Sequence, residues 1–283
     1  MIDTLYVNGC SWTFGSELEQ DPAFAEMLNR KKWKPENPQD HFNWNILDSN
    51  GTYVSRYDEH YDKFNWAGRL KTLLGAKKLV NEATGGGSNY RIVRKTLDYI
   101  KQLSPKKYNS TMIVLGWTNC SRSEMNLGQR WHRVSLSQPF DQTVDRLKFD
   151  DENIIKTVSK LKDSWEALLY TDYTGVQYYF NSVYMLTALL DNLGINYYFF
   201  NALPVWYDGG EYQSDVDVDN CFAIDIELHG KNKHLHPLSD TFFHYANNNR
   251  EEMPMATYLH PLSTCHGLWA ERIYASMKHN GVL

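Results

Sequence analysis

The chain has 283 residues, 42% of them hydrophobic, and a formal net charge of -5 at pH 7. That length buries a substantial core as one large α/β domain or two small ones, and the acidic balance argues against a general nucleic-acid binder, which carries a basic face. No apolar stretch approaches a membrane span, the N-terminus does not read as a signal peptide, and four scattered cysteines (Cys10, Cys120, Cys221, Cys265) make no disulfide framework. The expectation is a reduced, cytoplasmic protein with neither a membrane nor a nucleic-acid partner; the composition leaves its oligomeric state open.

In chain order, strand-like runs alternate with helix-like ones, the pattern of a parallel sheet covered on both faces. Leu5 to Val7 is a first strand. Residues 62–75 place Phe64, Trp66, Leu70, Leu73 and Leu74 at helical spacing. Lys78 to Val80 is a second strand ending at Asn81, and Tyr90 to Leu103 a helix capped by Ser88 or Asn89. Thr111 to Leu115 is a continuous apolar strand. Residues 175–192 form a helix closed by Leu193-Gly194, Ile195 to Phe200 is a strand, and Ser263 to Lys278 is a last helix.

Three polar stretches, near 19–60, 120–160 and 205–256, lack sustained periodicity. Loops this long in a compact domain shape a functional surface or, as the alternative, reflect irregular packing or an oligomer contact. With no linker and no repeat, residues 1–283 read as a single domain carrying these stretches as insertions. Aromatic residues make up 14% of the chain, which suits a core and also suits a surface for sugars or flat ligands.

Four strand ends carry the chemistry-bearing residues. The first gives Gly9-Cys10-Ser11-Trp12-Thr13-Phe14-Gly15, in which Ser11 is either a helix cap or a nucleophile lifted clear of the sheet edge. The second gives Asn81-Glu82-Ala83-Thr84-Gly85-Gly86-Gly87-Ser88-Asn89. The third gives Gly116-Trp117-Thr118-Asn119. The last block, His260-Pro261-Leu262-Ser263-Thr264-Cys265-His266-Gly267-Leu268-Trp269-Ala270, opens the final helix. In a parallel α/β sheet the loops at the carboxyl ends of the strands converge on one crevice, which would gather a nucleophile, an imidazole and amide donors.

These blocks resemble those of the SGNH (GDSL-type) hydrolases. Gly9, Ser11, Thr13 and Gly15 match the family's first block, and Asn81 and Gly86 look like the second. Gly116 and Asn119 are similar to the third, with one extra residue between them. His260, Pro261, His266, Trp269 and Ala270 fit the fifth. The wording of the first and third blocks resembles a divergent branch found among bacteriophage proteins, for which the setting would be host cytoplasm or virion.

The resemblance implies a three-layer α/β/α sandwich around a central parallel sheet, flavodoxin-like in plan, with no cofactor and no metal. It implies a serine esterase that removes an O-acetyl or similar small acyl group from a carbohydrate. Ser11 would attack the ester carbonyl and His260 would act as general base. The Ser11 and Gly86 N–H groups and the Asn119 side chain would form the oxyanion hole, each donor worth ~3–4 kcal/mol. Trp12, Trp117 and Asn89 are candidate substrate contacts, with core packing the open alternative for Trp117.

The chain departs from the family at two acidic positions. Cys10 stands where the family has Asp, and Thr257 stands three residues before His260, where a carboxylate normally orients the imidazole. Thr257 is the candidate orienting group, with Glu251 or Glu252 as further possibilities. The alternative is a catalytically silent member serving as a virion or carbohydrate-binding component.

Several other patterns compete. His236-Pro237-Leu238-Ser239 echoes the His260 block, but no counterpart of the helix start follows it, so His260 is preferred as base. His266 is expected to pack rather than act as a second base. His229, His234, His236 and His244 read as a surface group on an inserted loop. Cys10, Cys120 and Cys265 fall inside the motif blocks but are expected to be small core residues rather than zinc ligands. Asp215-x-Asp217-x-Asp219 begins like a calcium loop and fails at Ile226, where a bidentate Glu should stand. Gly85-Gly86-Gly87 has neither the Walker nor the dinucleotide pattern.

Overall fold

The computed structural model describes residues 1–16, 18–23, 45–47, 53–55, 62–127, 130–135, 172–206, 217–251, 253–256 and 260–283. The chain opens with strand β1 (Thr4–Gly9), a single helical turn α1 (Ser11–Phe14) and a short 3-10 turn (Leu18–Gln20). Strands β2 (Asn45–Leu47) and β3 (Tyr53–Ser55) pair antiparallel. Helix α2 (Trp66–Leu74), strand β4 (Lys78–Asn81), helix α3 (Asn89–Gln102) and strand β5 (Thr111–Trp117) follow. Strands β6 (Arg122–Leu127) and β7 (Arg130–Ser135) form a second antiparallel pair. Helix α4 (Asp172–Leu193) leads into strand β8 (Asn196–Asn201). Helices α5 (Val218–Cys221), α6 (Ala223–Lys231), α7 (Phe242–Asn248) and α8 (Ser263–His279) close the chain.

Strands β4, β1, β5 and β8 form one parallel sheet in that order. Phe199 N–H donates to the His234 carbonyl and His236 N–H to the Phe199 carbonyl, so residues 234–236 add a short parallel edge beside β8. Side chains alternate faces along a strand. Leu5, Val7, Met112, Val114, Tyr198 and Phe200 therefore pack with the Trp66, Leu70, Trp269 and Ile273 side chains of α2 and α8. Tyr6, Ile113, Leu115, Tyr197 and Phe199 face the other way, onto Ile92 of α3 and Val176, Phe180 and Val183 of α4. Both faces of the sheet are covered, which is why its strands read as unbroken apolar runs. This is the α/β architecture expected, a parallel sheet between two helical layers.

The helix ends follow from capping. Asn65 accepts from Gly68 N–H at 2.8 Å to start α2, and Gly75 ends it at φ 65°. Ser88, rather than Asn89, caps α3 by accepting from Arg91 N–H at 3.2 Å. The inserted stretches contain regular structure that their polarity conceals, namely the β2–β3 and β6–β7 pairs and helices α5, α6 and α7. Of these, β6 is tied to α3 by a 2.8 Å ion pair between Arg94 and Glu124, whose carboxylate is 3% exposed.

The strand order places a topological switch between β1 and β5. From β1 the chain goes to β4 on one side, then crosses to β5 on the other. Connections on opposite sides of the sheet leave a crevice beyond the carboxyl ends of the two middle strands, where α/β proteins bind ligands.

Candidate active site

Ser11 sits at that crevice because β1 ends there. Gly9, its last residue, pairs with Gly116 of β5. A Cβ on Gly9 would lie 2.2 Å from Thr13 Oγ1 and 2.7 Å from the Gly116 carbonyl; one on Gly116 would also meet Thr13 Oγ1 at 2.2 Å. The two glycines thus accommodate the Thr13 side chain between the strand ends. Cys10 is extended and α1 begins immediately, with Gly15 closing the turn at φ 88°. Ser11 is the first helical residue, so its N–H lies outside the helical hydrogen-bond ladder.

The glycine-rich loop is fastened to the same turn. Thr84 N–H donates to the Gly9 carbonyl at 3.2 Å, and Gly87 packs so closely that a Cβ would lie 2.7 Å from that carbonyl. A turn closed by Gly87 N–H on the Thr84 carbonyl puts Gly86 at an exposed apex with φ 66°, a conformation that favours glycine.

Beyond β5, the Asn119 carboxamide is 3% exposed. Its Nδ2 donates to the Pro204 carbonyl at 3.0 Å and its Oδ1 accepts from Ser121 N–H at 2.8 Å. One Nδ2 hydrogen is therefore already used on the segment that follows β8.

Asn89 and Trp117 are both turned inward, Trp117 in the core position left open for it. Asn89 exchanges hydrogen bonds with both backbone groups of Thr118, each at 3.0 Å, so its amide joins the glycine loop to the end of β5. Trp117 is 1% exposed, with its indole edge-on to Tyr179 and Phe199. It is a core residue because the alternation of β5 turns it onto the α4 face. Trp12 is 5% exposed and lies between Phe242, Phe243 and His260.

The contact with His260 brings the two ends of the chain together. Its ring centroid is 6.2 Å from that of Trp12, the residue next to Ser11. The His260 carbonyl accepts from Ala256 N–H at 2.8 Å, and Leu262 N–H donates to the Pro254 carbonyl at 3.2 Å, so residues 254–256 pair with residues 260–262. Thr257 and Glu252 lie outside the described residues, and Glu251 is exposed.

His266 is packed, as the sequence suggests. It is fully buried, its Nδ1 accepts from Trp66 N–H at 3.3 Å, and burial, followed by the neighbouring His260, lowers its pKa to about 3. Cys265 is also inert, its thiol pushed up to about 12 by burial. Among the described residues, no group of three or more His, Cys, Asp or Glu gathers closely enough to hold a metal ion.

Two of the four histidines expected at the surface are buried. His229 lies in α6 with its ring near the Tyr179 hydroxyl, and His236 lies on the edge that residues 234–236 add to the sheet; each is 3% exposed. His236 Nε2 lies 2.7 Å from Asp240, and its Nδ1 lies 3.0 Å from Tyr198 Oη and 3.2 Å from Ser276 Oγ. Arg272 Nε donates to the same Asp240 oxygen at 2.8 Å.

Asp21 carries no sequence signature. It is 5% exposed; its Oδ2 accepts from the N–H and hydroxyl of Ser263 at 3.0 and 2.5 Å, and its Oδ1 accepts from Ala23 N–H at 2.9 Å. With a sequence separation of 242, only folding reveals this partner.

The chain matches, over residues 48–282, a family of unknown function, DUF6071, and belongs to it. The matched region includes Gly86, Asn119 and His260 and begins after Ser11. No curated protein matches the sequence. Two solved structures bear a distant likeness. One is an active-site mutant of a family two carbohydrate esterase from Clostridium thermocellum, with 12% identity and a TM-score of 0.42. The other is the acetyl xylan esterase Est2A from the rumen bacterium Butyrivibrio proteoclasticus, with 9% identity and a TM-score of 0.40. Each comparison covers 99% of this chain, which spans 65% of each of those chains. Among the described residues, no helix is long and apolar enough to cross a membrane.

Proposed function

We propose that the protein is a serine esterase of SGNH type, with Ser11 as nucleophile and His260 as general base. The observation carrying this reading is the approach of the His260 ring to Trp12, 6.2 Å between centroids, at the carboxyl edge of the sheet where β1 delivers Ser11. In this mechanism His260 removes the Ser11 hydroxyl proton as Oγ attacks the ester carbonyl. The imidazolium then returns the proton to the departing alcohol, and water hydrolyses the acyl-enzyme by the reverse sequence of transfers. The Ser11 and Gly86 N–H groups and the second Nδ2 hydrogen of Asn119 stabilise the oxyanion. The acyl group is small, an acetyl, and the alcohol is a carbohydrate hydroxyl. Thr257 is the orienting hydroxyl at the family's acidic position.

The experiment is hydrolysis of p-nitrophenyl acetate by wild type and by Ser11→Ala. Hydrolysis by wild type that the variant lacks supports the reading; equal, near-background rates in both refute it. The second reading is a catalytically silent carbohydrate-binding or virion component. It is favoured by the engagement of Asn119 with Pro204 and Ser121, which removes part of the oxyanion machinery. Carbohydrate binding without turnover is its expected signature.

A further inference from the structure

Helix α8 lacks a conventional start. Its N-cap is Leu262, which has no side-chain acceptor, and the serine that would ordinarily serve stands one place later, inside the first turn. The acceptor is instead the Asp21 carboxylate, which takes both the N–H and the hydroxyl of Ser263. A carboxylate there is favoured twice, by hydrogen bonds to a charged acceptor and by the positive end of a 17-residue helix.

The origin of this carboxylate is informative. Asp21 belongs to the same N-terminal segment as Ser11: Gly15 N–H bonds to the Ser11 carbonyl, Leu18 N–H to the Gly15 carbonyl and Asp21 N–H to the Leu18 carbonyl. The chain from Ser263 back to His260 is stiff. Pro261 has a fixed φ and bridges to Met255, and His260, as the residue before a proline, is restricted to extended backbone. A clamp on Ser263 therefore fixes the His260 backbone relative to the segment that carries Ser11.

We propose that Asp21 is a positioning residue of the candidate site, holding His260 in register with Ser11 by clamping Ser263 from the nucleophile's own segment. The proposal rests on the reading of Ser11 and His260 as nucleophile and base. It gives this chain a buried carboxylate that organises the histidine although Thr257 occupies the position of the family's acid. Asp21 acts through the backbone rather than on the ring.

The test compares Asp21→Ala and Asp21→Asn with wild type, using p-nitrophenyl acetate kinetics and the ring resonances of His260 in histidine-labelled protein, assigned with His260→Gln. In Asp21→Ala, kcat is expected to fall on the order of a hundredfold with KM little changed, as befits an ångström-scale misplacement. The His260 resonances should move. Asp21→Asn keeps an acceptor for Ser263 and should lie between Asp21→Ala and wild type. If Asp21→Ala does not fold, Asp21→Asn and Ser263→Ala carry the same comparison. Unmoved His260 resonances together with wild-type kcat in any folded variant whose clamp is removed or weakened overturn the proposal. A wild type inactive on the ester overturns the esterase reading instead, and the His260 resonances still decide whether Asp21 positions the ring.

Discussion

The tetrapeptide His-Pro-Leu-Ser occurs twice, at 236–239 and 260–263, and the two copies have opposite surroundings. The first begins on the last residue of the short edge beside β8. Its histidine is buried, with Asp240 on one ring nitrogen and the Tyr198 and Ser276 hydroxyls near the other. The second lies at the carboxyl edge of the sheet, where its half-buried histidine faces Trp12 and its serine is taken by Asp21. The first copy even has a serine, a histidine and an aspartate in series. Ser276, however, lies in the last turn of α8, where backbone N–H groups are spent on the helix and none can form an oxyanion hole. The same four residues thus give a structural junction in one place and a candidate catalytic block in the other. What differs is the supply of unspent backbone donors.

The largest expected effect separates the two histidines by activity. His260→Ala should lower ester hydrolysis by roughly a thousandfold or more, as loss of a general base does. His236→Ala should leave kcat of the folded protein unchanged; the reverse result would exchange the roles of the two copies.

Stability should show the opposite preference. His236→Ala leaves Asp240 with only Arg272, and Tyr198 and Ser276 without their ring partner, so unfolding free energy should drop by about 3 kcal/mol. His260→Ala, at a half-buried position, should cost less. Denaturant titration of both variants decides this.

Acid sensitivity should trace to His266, in the first turn of the helix that the second copy opens. With its folded pKa lowered to about 3 from the ordinary 6.5, His266 takes up a proton in the unfolded chain before it does in the folded one. Stability should therefore fall as pH drops from about 6.5 toward 3. His266→Asn keeps an acceptor for Trp66 N–H and cannot titrate, so the slope should shrink. It should not vanish, because His229, lowered to about 4 by burial and then by His236, acts in the same direction. Unfolding midpoints across that range give the answer.

The smallest effect concerns the serines. Ser263→Ala removes one of the two hydrogen bonds that Ser263 makes to the buried Asp21 carboxylate and should cost about 1–2 kcal/mol, whereas Ser239→Ala, at an exposed position, should cost nearly nothing. Equal costs, measured by thermal unfolding, would mean the two copies are not as different as their surroundings imply.

Much of this was legible in the sequence where the signal is local. The apolar runs 5–7, 111–115 and 195–200 are strands because both faces of the sheet are covered, and Ser88 caps α3 because a hydroxyl there reaches Arg91 N–H. Gly9, Thr13 and Gly116 were recognisable as a motif, and their contact distances now explain them. The β6–β7 pair escaped notice because its residues are polar, and residues 234–236 because three residues carry no period.

By itself, the sequence determined the alternation of strands and helices, and through it the edge of the sheet at which Ser11, Gly86 and Asn119 emerge. Period and capping are properties of neighbouring residues, so they survive without a fold. Only the tertiary structure decided that Trp117 and Asn89 face inward, that His236 is a buried junction and that Asp21 clamps Ser263. Each of those depends on partners far along the chain, and which side of a strand or loop meets which neighbour is settled only when the layers pack.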